Sequence, residues 1–333
     1  MAITPASDDS RLRRLLPISV VIPTINRTAA LGRMLETLAA QPTLPAEIVI
    51  VDASDDTATR ELAGVFGLRV RGRGANVHWA AAESRGAASQ RNQGVNAAHQ
   101  PCICFCDDDI LFERDCLGVL WAAMEADPRI GGVSATITNQ QYGSPGTISR
   151  LMFALMNGRR EESYAGRVLG PAVNLLPEDR PGLPDIVPVE WLNLGCTLYR
   201  REALPNPPFA ARFIGYSIME DATLSLTVGR AWKLANARNA RIFHDSQPGA
   251  HKKDGALLAE MELVNRHFVM TQVLGRRRAA DYLRLVLWEA FGMASTLRSG
   301  AGWRNLPAGV VGKLRAVWHL LHEPSSKVSP ADG

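Results

Sequence analysis

No apolar run in this 333-residue chain is long enough to cross a bilayer unaided. The run LLPISVVIP at 15–23 is short, holds two prolines and lacks a small-residue cleavage site, which makes it a poor secretory signal. The stretch YLRLVLWEAFGMASTL at 282–297 carries Arg284 and Glu289, which excludes a spanning helix. Cysteine is scarce: Cys102, Cys104, Cys106, Cys116 and Cys196. An odd count in so long a chain argues against a disulfide framework, and alternation in CICFC does not match the loop-borne pairs of zinc sites. They read as buried, reduced thiols of a cytosolic protein. No G-x-G-x-x-G follows the first apolar run and no G-x-x-x-x-G-K-[ST] occurs, which argues against the usual dinucleotide fingerprint and against a P-loop NTPase. A dominant sign of charge is lacking too. The 37 basic and 33 acidic residues leave +4, too little to argue for nucleic acid.

What is present is an alternation of apolar runs and helical patterns. Residues 18–22 (ISVVI) read as a strand buried on both faces, and Leu31, Leu35 and Leu38 give 28–40 one apolar helical face. Residues 47–51 (EIVIV) form a second strand ending at Asp52, followed by a helix from Ser54 or Asp55 to about 66. Weaker strands are expected at 68–71 and 76–80. A small-residue helix is expected at 84–98, a buried strand at 102–106 and a helix at 113–126. Residues 139–190 turn rich in Gly, Pro, Asn and Arg, with one short helix near 148–156, and read as a binding loop or lid. A strand at 191–200, a helix at 221–232 and a strand at 240–243 follow; from about 256 the pattern is helical. This order predicts an α/β fold, with a mostly parallel sheet between helices.

Ligands of such sheets gather at the C-terminal ends of the strands. Asp52 ends the second strand, Asp107-Asp108-Asp109 follows CICFC, and Glu220-Asp221 opens a later helix. Three adjacent carboxylates repel one another and are stabilised by a cation; Mg²⁺ commonly bridges such carboxylates to phosphates. In an extended segment Asp107 and Asp109 point to one side and Asp108 to the other. His244 ends the strand RIF, and a neutral imidazole suits Mn²⁺-like ions; His251 competes for that role.

In this order the pieces resemble the inverting, GT-A-fold glycosyltransferases of family 2. ISVVIPTINR, EIVIVDASDD, SRGAASQRNQGVNAA, ICFCDDDILFERDCL, LGCTLYRREAL and MEDATLSLTVGRAWKLANARNARIFH carry the resemblance, across about residues 17–245. It implies a nucleotide-sugar donor, a Mn²⁺ or Mg²⁺ ion and an acceptor hydroxyl. By the same resemblance Asp52 contacts the nucleoside, and Pro23, Thr24 and Arg27 sit in the loop around it. Arg91 is a basic residue near the donor. Asp107 and Asp109 form the D-x-D, with Asp109 the direct metal ligand and Asp107 and Asp108 against the nucleotide sugar. His244 completes the metal shell in some members. Asp221 corresponds to the catalytic base and Glu220 to its acceptor-side neighbour. Many members have a second acid after the Asp52 position; here it is Ala53.

The expected organisation is a flexible tail (1–16), a GT-A domain (17–250) and a helical C-terminal extension (251–333). The domain divides into a nucleotide-sugar half (17–138) and an acceptor half (139–250). Residues 256–322 hold nine basic against four acidic side chains, with interleaved aromatics such as Trp288, Trp303 and Trp318. That composition predicts peripheral contact with an anionic membrane through 256–322, held by charges such as Arg276, Arg277 and Arg278 and released by salt. The acceptor is then a glycan or a lipid-linked sugar. The expected place is the cytoplasm, at the inner face of the cell membrane, in bacterial surface-glycan synthesis. Two other readings are a sugar-nucleotide nucleotidyltransferase, which would want a Gly-rich basic loop after the first strand, and a catalytically silent scaffold, which would have lost an acid. Three acids at the ligand edge disfavour nucleic acid.

Overall fold

The computed structural model describes residues 15–140, 142–246, 254–297 and 300–322. Most of the expected N-terminal tail and His251 lie outside the described residues. The first half alternates as expected: β1 (Leu16–Thr24), α1 (Thr28–Ala39), β2 (Pro45–Asp52), α2 (Ala58–Arg71), β3 (Asn76–Ala81), α3 (Ala87–Ala97) and β4 (Cys102–Cys106). β1 lies between two parallel neighbours, β2 and β4, which is why its sequence is apolar without alternation. The strand expected at 68–71 does not form. Ala63, Phe66 and Val70 are buried at helical spacing, so the segment continues α2.

The second half is β5 (Ile110–Phe112), α4 (Cys116–Glu125), β6 (Ile130–Ile137), α5 (Thr147–Asn157), β7 (Val168–Leu169), β8 (Val173–Asn174), β9 (Ile186–Pro188), β10 (Cys196–Arg200), α6 (Glu220–Val228) and β11 (Lys233–His244). Here the sequence reading needs correction. β6 was not expected, β10 begins at Cys196 rather than 191, and α6 stops at Val228, with β11 starting at Lys233. The C-terminal part is helical as expected: α7 (Gly255–Phe268), a π-helical turn (Val269–Val273), α8 (Ala279–Thr296) and α9 (Gly300–His322).

One sheet orders the strands β3-β2-β1-β4-β10-β6-β11-β5, with β9 also paired to β11. β10 runs antiparallel between β4 and β6, and β5 antiparallel at the edge beside β11. β1, β2, β4 and β11 therefore end on the same side, at Thr24, Asp52, Cys106 and His244. One face of the sheet packs Leu31, Phe66 and Leu120 from α1, α2 and α4; the other packs Val95 of α3, Phe209 and Leu224 of α6. All five cysteines are buried and unbridged, and the sulfurs of Cys104 and Cys196 lie 3.6 and 3.9 Å from that of Cys106, the contact distance of packed thiols.

Candidate active site

β4 is wholly buried, and its C-terminal end delivers Asp107, Asp108 and Asp109 to the sheet edge. The Asp107 amide donates to the Gly195 carbonyl at 3.2 Å, which extends the β4–β10 ladder into the acidic run. β5 then turns back against β11, pairing Ile110 with His244. This pairing brings His244 Nε2 to 3.1 Å from Asp109 Oδ1. On its other side His244 Nδ1 lies 2.8 Å from the Gln140 side-chain nitrogen. If the amide turns to accept from Nδ1–H, Nε2 keeps its lone pair for a metal.

Two arginines meet the acids. Arg27, just before α1, donates to Asp108 at 3.2 Å and to Asp109 at 3.3 Å. Arg91 of α3 is buried and donates to Asp107 Oδ1 at 2.7 Å and to Glu220 Oε1. Thr24 Oγ1 donates to Asp108 Oδ2 at 2.7 Å. Five carboxylates, those of Asp107, Asp108, Asp109, Glu220 and Asp221, thus face two guanidinium groups. Burial pushes the Asp108 carboxyl up to about 6 against the pull of Thr24 and Arg27. It pushes Glu220 up to about 7 against Arg91, and Asp221 up to about 6 against the Ala222 amide. Surplus negative charge in a partly dry site is the condition under which a cation binds. One carboxylate oxygen each from Asp107 and Asp109 and one nitrogen of His244 lie within 4.8 Å of one another. Oxygen and imidazole donors of this kind fit Mn²⁺ or Mg²⁺.

These groups surround a cavity of about 350 Å³. Of the residues singled out in the sequence, Pro23, Thr24, Arg27, Arg91, Asp107, Asp108, Asp109 and His244 line it. Three others stand back from it. Asp52 is buried at the end of β2, accepting from the Ser54 amide at 2.9 Å and the Trp79 indole at 3.1 Å. Glu220 lies behind Arg91, and Asp221 is half-buried in the first turn of α6, accepting from the Ala222 amide at 2.7 Å. Sequence reasoning missed Arg85, Gln90 and Tyr216, which also line the cavity. Gln90 ties the ends of two strands by donating to the carbonyls of Thr24 at 2.9 Å and Val51 at 2.8 Å. Its place beside Arg91 was the available signal. Gly86, at φ 142°, pairs with the backbone of Gly215, and a Cβ at Gly86 would sit 3.2 Å from the Gly215 nitrogen. A larger cavity, about 710 Å³, opens at the other end of β6 and β11. It lies away from the acids, and Asp127 in its wall is paired with Arg129 and Lys233.

Residues 19–172 match the family model described as Glycosyl transferase family 2. The chain is 38% identical over 98 residues to Validoxylamine A glucosyltransferase of Streptomyces hygroscopicus subsp. limoneus, a match spanning 28% of this chain and 20% of that protein. It is 30% identical over 140 residues to a PGL/p-HBAD biosynthesis glycosyltransferase of Mycobacterium bovis BCG, spanning 40% of this chain and 54% of that protein. The matches therefore span between a fifth and about half of these relatives' lengths. Among solved structures, a mannosyltransferase from Pyrobaculum calidifontis in complex with GDP-Man and Mn²⁺ superimposes with a TM-score of 0.54 at 13% identity. That likeness covers 92% of this chain and 88% of the other, and carries the fold: the GT-A-like architecture expected from the sequence.

Proposed function

We propose that the protein moves a sugar from a nucleotide-diphosphate sugar to an acceptor hydroxyl, with inversion at the anomeric carbon. The observation that carries this reading is the convergence of Asp107, Asp109, His244, Arg27 and Arg91 on one cavity at the sheet's C-terminal edge, in a chain whose residues 19–172 match the family 2 model. Asp107, Asp109 and His244 would hold the divalent ion, with Asp109 the direct ligand. Bound there, Mn²⁺ or Mg²⁺ supplies Lewis-acid stabilisation of the diphosphate's negative charge. Arg27 and Arg91 add fixed positive charge beside the phosphates, preorganised by their bonds to the acids. Pro23 and Thr24 shape the nucleoside end. Asp52 keeps acceptor capacity beyond its two protein donors and meets the nucleoside there.

Asp221 acts as general base. It takes the acceptor hydroxyl's proton as that oxygen bonds to the anomeric carbon and the bond to the diphosphate breaks on the opposite face. Glu220, bound to Arg91, holds the start of α6 against the donor side. The acceptor is a glycan or lipid-linked sugar. The protein works at the inner face of the cell membrane, touching it through residues 256–322, in bacterial surface-glycan synthesis.

Calorimetric titration with a panel of nucleoside diphosphates, with and without Mn²⁺, tests the donor site. Mn²⁺ is expected to strengthen binding, and Asp109→Asn to weaken it by about tenfold or more in its presence. Equal affinity with and without the ion would reject the metal-assisted reading.

A further inference from the structure

The C-terminal helices hold a charged cluster between them and show apolar side chains outward. Glu262 and Arg266 of α7, Glu289 of α8 and Lys313 of α9 meet between the helices. Arg266 pairs with Glu262 at 2.7 Å and Glu289 at 3.0 Å, and Lys313 with the same two carboxylates at 3.0 and 2.6 Å. Gly312 lets α9 lie this close, because a Cβ there would run into the Ala256 carbonyl of α7.

Leu263, Leu285 and Ala316 pack between the helices, but many other apolar side chains face outward. On α9, Trp303, Val310, Leu314, Val317 and Leu321 recur at helical spacing and are exposed, Leu314 by 64% and Leu321 by 75%, with Trp318 beside them at 61%. On α8, Tyr282, Leu283 and Val286 are exposed. The acids of α8 are turned inward: Glu289 into the network, Asp281 to Arg278 and Arg284. Among the described residues, the exposed Arg or Lys side chains on these two helices are Arg304 and Arg315, and no acid is exposed there. A helix packed on a domain in water buries its apolar stripe; one that shows it needs an apolar partner. The exposed fixed charges described on these two helices, Arg304 and Arg315, are positive, which complements an anionic surface, and tryptophan favours the membrane–water boundary. Among the described residues no helix is long and apolar enough to cross a membrane, so the helices would lie in its plane.

We propose that α8 and α9 are the docking face of this protein on an anionic phospholipid bilayer, with Trp303, Leu314, Trp318 and Leu321 entering the acyl boundary. This deepens the membrane contact in the proposed function and rests on it only for the acceptor's location. It also shifts the contact's weight from charge to apolar side chains: of the arginines the charge pattern pointed to, Arg277 and Arg278 are exposed just before α8, while Arg276 is half-buried. Arg276 donates to the Gly170 carbonyl, and Arg277 to the Thr271 carbonyl at 2.9 Å. Attachment through apolar side chains resists salt, where attachment through charges does not.

Flotation of the full chain with vesicles of phosphatidylcholine and phosphatidylglycerol, at low and high salt, reads the contact. The protein is expected with the vesicles in both. Leu314→Glu combined with Val317→Glu should lower its partition coefficient by about tenfold or more, while Leu314→Phe retains it. Circular dichroism and the melting temperature of each variant should match the parent, since both sites face outward. Absence of flotation at low salt, release by salt alone, or undiminished flotation of the folded double variant overturns the proposal. A dimer in light scattering that the double variant breaks, without flotation, also overturns it and assigns the face to a second copy. Donor turnover measured without vesicles on the same samples tests glycosyl transfer separately.

Discussion

Glu220 and Asp221 are consecutive carboxylates in the first turn of α6 with different partners. Glu220 is bound to a buried guanidinium, while Asp221 accepts from the Ala222 amide. In the proposed reaction Asp221→Asn keeps the shape and removes the base. Transfer should fall by roughly 10²–10⁴-fold with donor affinity retained. Burial holds Asp221 up at about 6, so the base is ionised above that pH and protonated below it. The parent's kcat should therefore drop on the acid side of about pH 6, a limb that steady-state assays across pH would show. Parallel collapse of donor affinity in Asp221→Asn would place this residue in the nucleotide site instead. At this scale the sequence was most readable where chemistry needs charge: three aspartates behind an apolar strand announce themselves. Gln90 and Tyr216 did not, because an amide and a phenol gain their role only from the fold that brings them to the cavity.

β1, β2 and β4 were legible because a strand buried on both faces is a plain apolar run. β6 was not, since Gly131 and Gly132 weaken its strand signal while giving room to Trp232 and Tyr199. β11 was hidden in its first half by KLANARN, a polar stretch whose pairing slips between Ala237 and Arg241. That irregularity is held from outside. Asp179, within the 139–190 segment, accepts from Arg238 at 2.8 Å and from Arg241 at 2.8 Å. The expected lid is thus fastened to the strand that carries His244. Asp179→Ala leaves the little-exposed Arg238 without its carboxylate and should destabilise the fold by about 3 kcal/mol in chemical denaturation. Asp179→Asn, which retains acceptors, should lose less; equal stability of the parent and the Ala variant would show the pairs to be idle.

Across the whole molecule two sets of carboxyls pull stability in opposite directions with pH. Hydrogen bonds and cations outweigh burial at Glu47, Asp179 and Glu262, so their stabilisation is present above the ordinary carboxyl range and lost as pH falls below it. Burial raises Glu220 to about 7 and Asp221 to about 6, so folding favours their protonated forms. Their penalty is small at pH 4, grows as pH rises and is complete above about 7. Calorimetry of the metal-free protein should find the highest melting temperature in mild acid, near pH 5, and a lower one at pH 8. Asp221→Asn should raise the melting temperature at pH 8 and leave it nearly unchanged at pH 4. A parent melting temperature that climbs steadily from pH 5 to 8 would contradict this balance.

The five cysteines bear on how the molecule ages. Each is buried, and three touch one another beneath the aspartates. Oxidants and alkylating agents attack thiolate they can reach, and the folded molecule offers none. Sulfur chemistry here waits on opening of the core. Modification falls on copies that have already unfolded, and once a bulky adduct sits on Cys106 the strand that presents Asp107 can no longer close. Wear is thereby sorted: intact copies stay unmarked, and failed ones are fixed in their failure.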